Sequence, residues 1–197
     1  MKKERILAGK SLKVREGKGL RLPPQSMEAE EAVLGAVLVN SASLARIIGT
    51  IKPESFYKPA NRIIFETMLR LFEQKEAIDI VTVSEALKVK GQLEEVGGRA
   101  YVNDLALNVV TTANIEFYAK IIQENEIKRA LINAGSEIAA LGYEAESYEQ
   151  ALDSAQQMIF NISSNKRSSD FVSVDELVAE SFSQIEMQYN NRSEERR

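Results

Sequence analysis

The sequence predicts an all-α chain: a compact helical head, then an antiparallel helical hairpin, then a separate amphipathic linker helix. Three observations predict it. Apolar residues recur at helical spacing in nearly every segment. Helix-initiating signals precede those segments: Ser26, Thr82–Glu85, Ser147–Gln150 and Ser173–Glu176. No stretch alternates convincingly as a half-buried strand would.

The elements follow in order. Pro23-Pro24 closes an N-terminal arm, and Ser26 offers an N-cap. Glu28, Glu30 and Glu31 then sit near the positive end of a helix dipole, and Met27, Val33, Leu34, Val37 and Leu38 form the apolar stripe. A short helix is expected over 41–50, with Leu44, Ile47 and Ile48 inward. Pro53 starts a turn. Pro59 suits the first turn of a helix over 59–75. Its broad apolar face (Ile63, Ile64, Met68, Leu69, Leu71, Phe72) predicts a central position.

AIDIVTV is β-branched, but the capping box Thr82-Val83-Ser84-Glu85 reads it as an extended lead-in to a helix that Gly91 ends. Gly97-Gly98 marks a turn before a helix over 99–108. From Thr112 to about Leu141 runs a long helical pattern through Ile115, Tyr118, Ile121, Ile122, Ile127, Leu131 and Ile138, with Gly142 as C-cap. Ser147 opens the next helix, carrying Leu152, Ala155, Ile159 and Ile162. The short connection makes the pair an antiparallel hairpin. The divisions are an arm over 1–21, a head over 22–108, a hairpin over 109–164, a linker over 165–172 and a linker helix over 173–190.

Composition narrows the chemistry. The chain has 197 residues, enough for a real core, and no cysteine or histidine. Disulfides, thiolate chemistry, Ser-His-Asp catalysis and the commonest metal ligands are therefore excluded. No spacing of Asp, Glu, Lys and Tyr proposes a catalytic constellation, so no catalytic, cofactor or metal residue is assigned. Tyr57, Tyr101 and Tyr118 are expected to pack in the head or hairpin, with each hydroxyl reaching a polar partner or water. The absence of cysteine fits a cytoplasmic location, and no apolar run approaches the ~18 residues of a membrane span.

Residues 1–21 hold eight Lys or Arg and two Glu, a net of +6. The total is −4, so the remaining chain carries −10. The expectation is a disordered, solvated arm, with transient contact to nucleic acid or an acidic partner as the alternative. Gly9-Lys10-Ser11 mimics the end of a phosphate-binding loop, yet Glu4 occupies the first glycine position and no strand precedes it.

The stripe of the last helix is formed by Val174, Leu177, Val178, Phe182, Ile185 and Tyr189. A helix of this length is marginal in isolation. Its apolar side therefore requires a cover, either this chain's own hairpin or, the reading preferred here, another molecule reached across the polar linker.

Five stretches now carry a resemblance. LPPQSMEAEEAVLGAVL (22–38), FYKPANRIIFETMLRLF (56–72), IDIVTVSEAL (78–87), LEEVGGRAYVNDL (93–105) and TTANIEFYAKIIQE (111–124) resemble, in order, the opening of the DnaB family of bacterial replicative DNA helicases. Asn61 stands where many members carry His. The resemblance covers about Leu22 to Tyr189 and implies the N-terminal domain plus linker helix of a hexameric, ATP-driven helicase. It implies a dimer-based collar that recruits primase, and a linker helix docked on the neighbouring subunit's motor domain. Other replisome or loader proteins are further implied partners, with DNA engaged mainly through the parent ring and no membrane. ATP and Mg would belong to the motor domain, which is expected to be absent from this chain; the chain itself is expected not to be an enzyme. The alternatives are a free-standing collar relative acting as loader or modulator, and a basic-arm nucleic-acid binder.

Overall fold

A computed structural model describes residues 22–109, 111–145 and 147–167. Six α-helices form there: α1 (Met27–Val39), α2 (Pro59–Glu73), α3 (Ile80–Val89), α4 (Gly98–Leu107), α5 (Ile115–Glu144) and α6 (Tyr148–Arg167). Two 3-10 turns, Ser41–Arg46 and Pro53–Ser55, connect α1 to α2. There is no strand among the described residues.

Helix α1 begins where Ser26 Oγ accepts the Ala29 N–H at 3.3 Å. It is apolar on nearly every side: Val33, Leu34, Ala36 and Val37 are all fully buried. A helix with no polar face belongs inside. So α1, not the 59–75 segment, is the centre of the head, packed against α2, α4 and the first half of α5. Helix α2 is amphipathic: Ile64, Phe65, Met68 and Leu71 are buried, whereas Arg62 and Glu66 face outward and Phe72 is exposed. The rings of Phe56 and Phe65 pack with centroids 4.9 Å apart.

One glycine sets the α1–α4 crossing. A Cβ on Gly35 would overlap the carbonyl oxygen of Leu105 and the side chain of Val109. Backbone approaches backbone here, so the position admits no methyl group.

Several boundaries differ from expectation. The 41–50 helix is a 3-10 turn over Ser41–Arg46, with Leu44 and Ile47 buried but Ile48 exposed. Helix α3 starts three residues before the expected box: the Asp79 carboxylate accepts the N–H groups of Val81 and Thr82 at 2.8 and 2.9 Å, and Thr82 Oγ1 accepts the Asp79 N–H at 3.0 Å. Asp79 brings a negative charge to the positive end of the α3 dipole and forms a reciprocal capping box with Thr82, so the cap lies upstream. Gly91 (φ 72°) ends α3 as expected, and Gly97 and Gly98 adopt φ of 100° and 71° at the next turn.

Gly142 does not end α5, which runs on to Glu144. A glycine costs a helix about 1 kcal/mol, and packing against α6 supports this stretch. The hairpin connection is only residues 145–147, so α5 and α6 run antiparallel. Helix α6 begins with Ser147 Oγ accepting the Gln150 N–H at 3.3 Å and continues to Arg167, so the expected linker is helical at its first three positions.

Candidate interaction site

The stripe Val174, Leu177, Val178, Phe182, Ile185 and Tyr189 lies outside the described residues. Among the described residues the surface of interest is the hairpin, and the head is built to hold it rigidly.

The head's main polar device lies between α1 and α2. Glu30 is 2% exposed. Its carboxylate accepts the Tyr57 N–H at 2.6 Å, the Lys58 N–H at 3.3 Å and the Asn61 Nδ2 at 2.9 Å. Helix α2 has no side-chain cap of its own, because Lys58 is its N-cap residue and Pro59 follows. Glu30 therefore caps α2 from another helix, where the α2 dipole favours negative charge. Asn61 Oδ1 accepts the Tyr101 hydroxyl at 2.7 Å, which extends the network to α4. Burial pushes the Tyr101 phenol well above its ordinary range, and the negative charge of Glu31 adds to the shift. Lys58 Nζ stands 3.9 Å over the Tyr101 ring.

Sequence reading placed Glu30 with Glu28 and Glu31 as a dipole acid. Its spacing held the missed signal: Glu30 is on the Val33, Leu34 and Val37 stripe, so it is buried with them. Asn61, flagged for its departure from His, proves to be the junction between Glu30 and Tyr101. Tyr101 meets the expectation that its hydroxyl finds a polar partner.

A second device fastens the hairpin. Arg129, midway along α5, donates from Nη1 to the Pro24 carbonyl at 2.8 Å and from Nη2 to the Ser55 carbonyl at 2.5 Å. One turn earlier, Glu126 accepts the Ser55 hydroxyl at 2.6 Å and lies 3.5 Å from Lys52 Nζ. At the start of α5, Arg46 Nε meets Glu116 at 2.9 Å. Ile115, Ala119 and Ile122 of α5 are part of the head core, so together with the Glu126 and Arg129 contacts they anchor the helix over about its first four turns.

Beyond Arg129 the character changes. Ala134 is buried, but no described side chain of α6 is. Leu152, Ile159 and Phe160 fall at i, i+7 and i+8, on one face of α6, and are 55%, 47% and 63% exposed. Leu131 and Ile132 are 47% and 55% exposed on α5. The hairpin packs through the half-buried Ala151, Ala155, Met158 and Ile162 instead. Leu152 and Ile159, expected beside Ala155 and Ile162, thus stand outside. Exposed apolar side chains gathered on one helix face mark an interaction surface. No three acidic side chains gather to hold a metal ion, and no helix is long and apolar enough to cross a membrane, among the described residues.

The head thus carries a helical hairpin with apolar side chains exposed along α6. Comparison with known proteins supplies the family. The DnaB-like helicase N terminal domain family matches residues 22–124, and the chain belongs to that family.

The replicative DNA helicase DnaB of Geobacillus stearothermophilus is 41% identical over 175 residues, covering 88% of this chain and 38% of the relative. The replicative DNA helicase DnaC of Bacillus subtilis is 38% identical over the same shares. The chain thus spans well under half the length of these curated relatives. Among solved structures, the N-terminal domain of DnaB helicase from Mycobacterium tuberculosis superposes with a TM-score of 0.68 at 34% identity, covering 71% of this chain and 99% of that one. A DnaB-like replicative helicase, whose structure was described together with its interactions with primase, shares the fold with a TM-score of 0.62 at 24% identity.

Proposed function

We propose that this chain is an oligomerisation and primase-recruiting collar element of a replicative DNA helicase, whose unwinding activity resides in a motor domain outside the matched region. The observation that carries the reading is the exposed row Leu152, Ile159 and Phe160 on α6. Burying such side chains is worth about 1.5–3 kcal/mol each, so two hairpins gain by packing together. The family relationship supports the same role, and the solved relative described with primase supports primase as partner. The linker-helix residues Val174, Leu177, Val178, Phe182, Ile185 and Tyr189 belong to the proposal as a subunit-docking element. A cytoplasmic replication protein fits this reading. ATP and Mg play no part in this chain's own task.

Sedimentation of the chain and of a Leu152→Glu/Phe160→Glu variant tests it. The parent chain is expected to self-associate at high micromolar concentration, and the variant to sediment as a folded monomer. A parent chain that stays monomeric under those conditions defeats the proposal.

A further inference from the structure

A groove of about 610 Å³ opens where head and hairpin meet. Leu22 and Pro23 form one side, and Ala130, Ile132 and Asn133 of α5 form another. Leu22, where the described chain begins to follow residues 1–21, is itself part of the groove lining. Glu126, Ala130, Asn133, Glu137 and Glu144 follow at i, i+4, i+7, i+11 and i+18, which aligns them in one row along α5. Glu126 lies in the groove, and Glu137 and Glu144 are exposed further out. From residue 130 to 165 there is no Lys or Arg, against five acids.

The arm is the complement. Its Lys10, Lys13, Arg15, Lys18 and Arg21 alternate with Leu12, Val14 and Leu20. Reach is sufficient. Asn133 to Glu144 spans about 16 Å of helix, and seven extended residues span about 23 Å.

We propose that residues 10–21 lie along the groove and the acidic row of their own α5. Lys and Arg of the arm meet Glu137 and Glu144, and Leu20 meets Ala130 and Ile132. Two cations line the groove, but both guanidiniums are engaged: Arg129 with Pro24 and Ser55, Arg62 with the Phe56 carbonyl at 3.3 Å. Glu54 and Glu126 balance them within the groove. Exposed ion pairs are individually weak. Tethering at Leu22 raises the effective concentration, so several weak pairs act together. The inference is independent of the collar reading, because it uses only this chain's groove and charges.

The absence of cysteine permits a clean test. A nitroxide placed on Ser11→Cys in the full chain, with amide resonances read by NMR, is expected to broaden residues 133–144 selectively. Glu137→Gln/Glu144→Gln should reduce that broadening at least threefold while leaving the melting curve intact. Salt near 1 M, where screening acts within about 3 Å, should do the same. Broadening that ignores both changes overturns the proposal. So does broadening seen only between labelled and unlabelled copies in a mixed sample, which identifies a second copy as the occupant. Broadening that requires added single-stranded DNA overturns it as well.

Discussion

Asn61 Nδ2 donates to the Glu30 carboxylate at 2.9 Å, joining the first turn of α1 to the first turn of α2 inside the head. Both residues are buried, and the same amide accepts the Tyr101 hydroxyl through its oxygen. Replacing Asn61 with Ala leaves a buried carboxylate one donor short and a phenol without its close acceptor. The expected loss is about 1–3 kcal/mol for unsatisfied buried groups, read as a lower urea midpoint with unchanged slope. Asn61→His should recover much of it, since an imidazole can donate to Glu30 and accept from Tyr101. A variant with Ala as stable as the parent removes the network from the energetics of the head.

Gly35→Ala should destabilise the head even though alanine favours helix by about 1 kcal/mol over glycine. The added methyl meets the Leu105 carbonyl, which belongs to a helix backbone and cannot rotate away. Overpacking of this kind costs about 1–3 kcal/mol. Thermal unfolding checks it. An unchanged or raised melting temperature contradicts the close crossing of α1 and α4.

The Tyr101 phenol titrates above its ordinary 10.0, chiefly through burial and then through Glu31. A folded-state value above the unfolded one gives stability that is complete below the unfolded value and declines as pH rises past it. Urea unfolding between about pH 9 and about pH 11 should therefore show a steeper decline for the parent than for Tyr101→Phe. Parallel curves would mean that the phenol is open to solvent.

Asp79 behaves in the opposite sense. The Thr82 N–H lowers its carboxyl below the ordinary 3.8. Its contribution is complete above that value and fades as pH falls through the depressed one. Asp79→Ala should cost about 1 kcal/mol at neutral pH, typical of a lost N-cap. The difference from the parent should narrow under acid conditions. If Asp79→Ala matched the parent at neutral pH, α3 would start without help from this cap.

Features of the fold that rest on local chemistry were legible in the sequence. The Ser26 cap, Pro59 at the opening of α2 and the left-handed Gly91 follow from the preferences of residues next to one another. Features that were missed or misjudged depend on distant partners. Gly35 answers to Leu105, and Glu30 to Tyr57 and Asn61, none of which adjoins it in sequence. Gly142 reads as a stop only until α6 is laid beside it. For α6, spacing marks a stripe but not its direction: Ala155 and Ile162 of that stripe are half-buried, whereas Leu152 and Ile159 are found outward. Arg129 carried no sequence signal, because its acceptors are backbone carbonyls that any residue would supply.

Helix α5 is a single beam about 45 Å long, embedded in the head at one end and free at the other. A push on the free end cannot be absorbed at a joint, since the helix is continuous from Ile115 to Glu144. The load arrives instead at Arg129 and at the Arg46–Glu116 pair, the fulcrum and the heel of the lever. Whatever grips the tip therefore steers the whole head.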